Sequence, residues 1–164
     1  MAEATAKVQR ERAWVSDKVE VHPHDGGQAL LAVAAIDEGE RLLALAHVFV
    51  DVKTKYSIQL DERRHQAGTD EADDYMNHSC DPNVTIDFDT LEVFALRPIA
   101  AGEQVTFNYN ICEWEMCSPF TCACGSPRCI GEIRGYRYLT AEQRARIEPW
   151  LAPYLRGKLA AQAV

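Results

Sequence analysis

Short apolar runs alternate with turn-forming residues along most of this chain. Val19-Glu-Val21 begins the pattern, and runs rich in Val, Ile, Leu and Phe follow at 29–34, 41–46, 56–60, 84–88, 91–97 and 105–107. Gly, Asp and Pro separate them, which predicts small sheets rather than a parallel α/β core. Ile36-Asp-Glu-Gly39-Glu40-Arg-Leu42 and Ile99-Ala-Ala-Gly102-Glu103-Gln-Val105 echo each other. Both read as strand, glycine turn and strand, the glycine supplying the positive φ of the turn. Two copies are too few for a repeat architecture. Residues 1–16 read as a helix or loose tail, and 61–74 as a charged connection. After Thr140 the period becomes helical. Thr140-Ala-Glu142 caps a helix that carries Ile147, Trp150 and Leu151 inward, and Pro149 and Pro153 bend or divide it. The stretch Asn77-His-Ser-Cys-Asp-Pro-Asn83 fits neither period, and does not build an ordinary helix or strand.

Composition narrows the class. The 164 residues suffice for one domain with a buried core, and 47% hydrophobic with 26% charged residues is usual for a soluble globular protein. No apolar run reaches the length of a membrane span, and Met1–Arg12 lacks the apolar centre of a signal peptide. A cytoplasmic protein is expected (nuclear in a eukaryotic host), with no membrane partner. Its six cysteines then read as thiols or metal ligands rather than disulfides. A net charge of -8 argues against direct nucleic-acid binding and suits a basic peptide partner, although acidity is also a common solubility device.

The candidate chemistry starts at Cys122, Cys124 and Cys129. Thiolates in a Cys-x-Cys-x4-Cys arrangement can share one tetrahedral zinc ion, with Gly125 and Gly131 letting the chain bend around it. A fourth ligand is wanted, and Cys80, Cys112 and Cys117 compete for that place. Without an ion, the trio would be buried thiols or a redox pair. His22-Pro-His24-Asp25 reads as solvated loop residues. Tyr56, and Tyr109 with Phe107 at alternate positions, read in isolation as packing residues.

Taken in order, the Asn77–Asn83 stretch, Gly102-Glu103-Gln104-Val105-Thr106-Phe107-Asn108-Tyr109 and the cysteine trio resemble the SET-domain protein lysine methyltransferases that carry a cysteine-rich post-SET tail. The resemblance covers roughly residues 18–139. It implies a mainly β fold with short helices: several small curved sheets with a knot-like crossing, a C-terminal post-SET zinc segment and a helix. The corresponding divisions are a tail at 1–17, a SET domain at 18–113, a post-SET segment at 114–139 and a helical extension at 140–164. The resemblance makes Cys80 the fourth ligand of a structural zinc with Cys122, Cys124 and Cys129.

It also implies an S-adenosylmethionine site. Asn77 and His78 would hold the cofactor, Tyr75 would pack near it, and the family's glycine motif falls on Gly27-Gln28-Ala29-Leu30. Ile133 matches the apolar residue placed after the zinc trio and joins the cofactor-binding set. Tyr109 matches the catalytic tyrosine, an orienting group for a neutral lysine amine. Tyr56 would direct its hydroxyl into the lysine channel. Phe107 matches the aromatic switch, and its lack of a hydroxyl implies di- or trimethylation. Three positions depart from the pattern: Ala29 replaces a glycine, Asp74 stands where a basic residue is usual, and Arg134 follows Ile133 where an aromatic is common, with Tyr136 two further on. The implied function is methyl transfer from S-adenosylmethionine to a lysine in a protein or peptide, basic and histone-like. The alternative is a catalytically silent SET-fold module that binds a peptide or protein.

Overall fold

A computed structural model describes residues 13–162; the expected helix or tail over 1–16 falls mostly outside them. β1 (Val19–His24) and β2 (Gly27–Ala32) form an antiparallel hairpin. Its tip is Asp25-Gly26, both with positive φ (44° and 80°), as a two-residue hairpin turn requires. β3 (Arg41–Ala44), β8 (Val84–Asp87) and β9 (Glu92–Ala95) make an antiparallel sheet in the order β3-β9-β8. Val84 and Ile86 alternate inward from β8, and Val93 and Ala95 from β9, so one face of this sheet meets Leu30, Leu43, Ile99 and Val105 in the core.

A second sheet runs β4-β6-β5, from Phe49–Val50 (β4), Ile58–Gln59 (β5) and His65–Gln66 (β6). Two smaller pairs complete the strands: β7 (Asn77–His78) lies parallel to β10 (Thr106–Phe107), and β11 (Phe120–Thr121) lies antiparallel to β12 (Glu132–Ile133). α1 (Ala141–Ile147) and α2 (Pro153–Gln162) close the described chain. The architecture is therefore mainly small sheets with a few short helices, as the sequence pattern implied. No helix among the described residues is long and apolar enough to cross a membrane.

The internal echo has a structural meaning beyond turn chemistry. Ile36 and Ile99 exchange both backbone hydrogen bonds at 2.9 Å, so the two copies face each other. Gly39 and Gly102 turn with φ of 79° and 91°. Glu40 accepts from the Asp37 N–H, and Glu103 from the Ala100 N–H, in matching positions. The repeated Ile-x-x-Gly-Glu phrase is a turn with its own carboxylate lock, used twice to pin the hairpin region to the main sheet.

Three expectations need correction. The 61–74 stretch is not merely a connection: it contains β6, whose Gln66 is 1% exposed because its side chain accepts from the Val48 N–H and donates to the Ala67 carbonyl. Asn77–His78 does form a strand, since a two-residue parallel pair needs partners, not propensity. Trp150 does not point inward. The 3-10 turn Glu148–Trp150, with Pro149 in its first turn, leaves the indole 37% exposed while Ile147 and Leu151 are buried. Thr140 does cap α1, in a reciprocal box with Gln143.

Candidate functional site

The Asn77–Asn83 segment lies against Thr106–Tyr109 and is tied to it at every step. The register pairs Thr106 with Asn77 and Phe107 with His78. The Ser79 N–H donates to Phe107 and the Asn83 N–H to Thr106. Asn83, 2% exposed, adds a staple: its amide donates to the Gln104 carbonyl at 2.8 Å and accepts from the Thr106 N–H at 2.9 Å. Leu30 accepts from the Val105 N–H on the other side of the same strand, so the crossing is locked to β2 as well. Within this polar segment, which looks like a loop in sequence, His78, Ser79 and Asn83 are buried with hydrogen-bond partners while Asp81 stays exposed.

On one side of this crossing stand four thiols. Cys80 joins Cys122, Cys124 and Cys129, with all four sulfurs within 4.8 Å of one another. Cys80 Sγ lies 3.9 Å from Cys122 Sγ. Zn–S bonds of about 2.3 Å place tetrahedral sulfurs about 3.8 Å apart, so the donor set and its spacing fit zinc. Burial pushes the Cys80 thiol well up. Burial also acts against ionising Cys124, but N–H groups of Cys80 and Ser126 and the neighbouring thiols bring it down to about 7. Of the competitors for the fourth place, Cys112 is fully buried beside the Tyr109 carbonyl, and Cys117 is exposed.

On the other side stands a nest of aromatic rings. Phe107 and Tyr109 are 4.8 Å apart between centroids, His78 and Tyr109 5.2 Å, and His78 and Phe120 5.8 Å. The Tyr109 hydroxyl donates to the Met76 carbonyl at 2.9 Å, and burial holds its phenol above the ordinary range. His78 spans both sides. Its Nδ1 accepts from the Tyr109 N–H at 3.1 Å, which leaves the proton on Nε2, 3.4 Å from Cys80 Sγ. Burial pushes His78 down to about 4, consistent with this neutral tautomer.

Residues 4–110 match the SET domain. The chain belongs to the SET-domain family. The relatives this SET-domain chain resembles are methyltransferases. Methyltransferase flvH of Aspergillus flavus is 41% identical over 88 residues, 52% of this chain and 48% of the relative. A histone-lysine N-methyltransferase, H3 lysine-36 specific, of Chaetomium globosum is 42% identical over 67 residues, 37% of this chain and 7% of that protein. The chain therefore spans about half the length of the first relative and a small part of the second. A crystal structure of KRYPTONITE in complex with mCHH DNA, an H3(1-15) peptide and SAH shares the fold, with a TM-score of 0.59 over 72% of this chain and 30% of that one at 18% identity.

The structure brings some of the expected site residues together and keeps others apart. Asn77, His78, Phe107 and Tyr109 meet at the crossing. Ile133 is fully buried and pairs with Phe120. Gly27 begins β2 beside the hairpin tip, and Ala29 is completely buried, opposite His22. Tyr75 gives its hydroxyl to Asp70. Asp74 accepts from the Thr69 and Asp70 N–H groups at 2.7 and 2.6 Å, so its carboxylate is committed to its own loop. Tyr56 is 63% exposed, before β5 rather than on it, so it is neither a packing residue nor part of the aromatic nest. Tyr136 is buried under the Arg144 guanidinium.

Sequence reasoning missed Phe120, Gln104 and Glu113. Phe120 stands two residues before the cysteine trio, a lone aromatic in a polar stretch, which was a usable signal. Gln104 accepts from the Asn77 amide and so orients it. Glu113 is 6% exposed, and accepts from the Gln59 N–H at 2.9 Å. Nothing local marks it, because its burial comes from β5 and from Tyr136, whose N–H donates to the Glu113 carbonyl.

Proposed function

We propose that this SET-domain chain transfers methyl groups from S-adenosylmethionine to the side-chain amine of a lysine in a protein substrate. The observation that supports it best is the crossing itself. Asn77 and His78 lie side by side with Phe107, His78 Nδ1 accepts from the Tyr109 N–H, and the Met76 carbonyl accepts from the Tyr109 hydroxyl. In this reading Asn77 and His78 face the cofactor with Gly27, Ala29, Tyr75 and Ile133 around it, and Phe120 extends the aromatic wall. The four cysteines hold a structural zinc that fixes the 114–139 segment against the crossing. Four thiolates leave no open position, so the ion takes no part in the reaction.

Tyr109 acts by orientation. A phenol held above its ordinary pKa by burial is a poor proton acceptor in its neutral form, but a firm hydrogen-bonding wall. The incoming lysine has an ordinary pKa of about 10.4 and must be neutral to attack; desolvation and the sulfonium charge both lower that value. Alignment of amine, methyl and sulfur then supplies the main acceleration. The relatives and the KRYPTONITE complex, which holds an H3 peptide and SAH, support a basic, histone-like peptide and this cofactor. The expectation of no direct nucleic-acid binding rests on net charge alone, and that KRYPTONITE complex also holds DNA.

Calorimetry with zinc-loaded protein and S-adenosylmethionine tests the reading without knowledge of the substrate. Saturable binding that survives Tyr109→Phe, with methyl transfer to histone peptides reduced about 100-fold in the variant, is expected. Absence of binding by folded, zinc-loaded protein would instead favour a silent peptide-binding module.

A further inference from the structure

The His78 imidazole reaches both the aromatic nest and the four thiols, and each of its nitrogens is used. Nδ1 lies 3.1 Å from the Tyr109 backbone nitrogen, and Nε2 lies 3.4 Å from Cys80 Sγ. A backbone N–H only donates, so Nδ1 carries no proton. The neutral ring then holds its proton on Nε2 and aims it at the sulfur. Turning the ring over would set carbon against both partners. His78 is 9% exposed, and its ring meets Tyr109 and Phe120 edge-on at 71° and 76°, so packing on two sides holds that plane.

Each bond matters at its own end. Tyr109 opens the 3-10 turn Tyr109–Ile111, and the first N–H groups of such a turn have no partner within it. Asn108 Oδ1 accepts from the Asn110 N–H at 3.0 Å, and His78 Nδ1 accepts from the Tyr109 N–H. The Tyr109 N–H is thus met by a side chain from another segment. At the far end, Cys80 is one of the four clustered thiols. Metal binding at such a cluster removes thiol protons, and a thiolate accepts from an N–H better than a thiol does. Donors placed behind a metal ligand in this way orient it and raise metal affinity. One rigid five-membered ring joins the two ends, with no rotatable bond between them.

We propose that His78 is a positioning residue that couples the four-cysteine metal site to the backbone at Tyr109. With Cys80 held as a thiolate, its sulfur fixes the Nε2–H, and the ring then fixes the Tyr109 N–H at the crossing. The coupling is reciprocal, so what holds Tyr109 in place also tightens the metal site. Both ring nitrogens are taken, and the side chain has none to offer a further ligand. The inference rests on the structural-metal part of the reading above and not on methyl transfer.

The test uses the full chain loaded with cadmium-113, a thiolate-binding ion that NMR detects directly, in place of zinc. Imidazole nitrogen-15 shifts should put the His78 proton on Nε2, and that proton should show a scalar coupling to the cadmium through Cys80. Exchanging zinc for cadmium should also move the Tyr109 amide resonance. Two variants separate the ends. His78→Asn sets an amide oxygen where Nδ1 stands and has nothing to reach Cys80. Its metal affinity, by chelator competition, should fall ~10-fold, with Tyr109 exchange unchanged and its resonance no longer sensitive to which metal is bound. His78→Gln sets an amide nitrogen where Nε2 stands and leaves the Tyr109 N–H unmet. Its metal affinity should stay near the parent value while Tyr109 amide exchange rises about 10-fold. The inference is overturned if the proton sits on Nδ1, if it shows no coupling to bound cadmium, or if both variants lower metal affinity and Tyr109 protection alike, as a space-filling role predicts. The cadmium measurement on the parent needs no substitution, so it decides the matter even where a variant fails to fold. A folded chain that takes up no cadmium overturns the metal site and this inference with it, whereas bound cadmium without coupling overturns the inference alone.

Discussion

The two sides of the Asn77–Asn83 segment are held by unlike means. Toward the C-terminal tail, four thiols from sites up to 49 residues apart (Cys80 to Cys129) converge. The loop from Cys122 to Cys129 between them is otherwise held by the short β11–β12 pair and by the Cys122 N–H, which donates to the Gly131 carbonyl, whereas Ile133 and Tyr136 beyond it are buried in the core. Toward β10, the Asn77–Asn83 segment is sewn in by backbone and amide hydrogen bonds that neither titrate nor need a metal, with the His78 Nδ1 bond from the Tyr109 N–H beside them. The first attachment is strong only when an ion is present, because metal-free thiols protonate and make only weak contacts with one another. The second is permanent. A fold that must keep Tyr109 in place while a tail is added beside it can use the permanent side as a frame and the metal side as a clasp.

Removing the metal should separate the two sides most sharply. Chelation is expected to strip amide-exchange protection from the loop between Cys122 and Cys129, a local loss on the order of 10 kcal/mol by analogy with small zinc sites, while β3, β8 and β9 stay protected. Full protection of that loop in metal-free protein would break the comparison.

Asn83→Ala probes the permanent side. It leaves the Gln104 carbonyl and the Thr106 N–H buried without partners, which should cost about 2–4 kcal/mol in denaturant melts. Asn83→Asp keeps the acceptor and loses only the donor, so it should fall between. An alanine variant as stable as the parent would mean that the crossing is held chiefly by the clasp.

A smaller effect comes from buried acids away from both attachments. Burial pushes Glu113 from its ordinary 4.5 up to about 7, against the Gln59 N–H that pulls it down. Asp73 rises from 3.8 to about 6 for the same reason. Both native pKa values are raised, so the native state binds more protons than the unfolded one. Their contribution is full below the unfolded values, and is lost as pH rises through about 6 to 7. For Glu113 this amounts to at most about 3 kcal/mol. Melting temperature should therefore fall between pH 5 and 8. Glu113→Gln, which can still accept from Gln59, should flatten most of the fall and leave the smaller Asp73 part. An unchanged slope would show that Glu113 is ionised in the folded protein.

Much of the fold and part of the site were legible in the sequence. Apolar alternation marked β8 and β9, because one face of a sheet meets the core and the other does not. Glycine and its following glutamate marked the two turns. The close cysteine spacing marked a metal-sized cluster, since residues two and five apart cannot be far from one another. What remained hidden required distant residues to meet. Cys80, which meets Cys122 across 42 residues, was named through the family resemblance and not by local pattern, and Glu113 reaches Gln59 across 54. Ile36 finds Ile99, Tyr56 ends outside the aromatic nest, and Trp150 faces outward. Local pattern records what each segment buries, whereas the identity of its partner depends on how separate segments fill the same space. The chemistry-bearing residue types were therefore set by the sequence, and only tertiary packing decided which of them share a site.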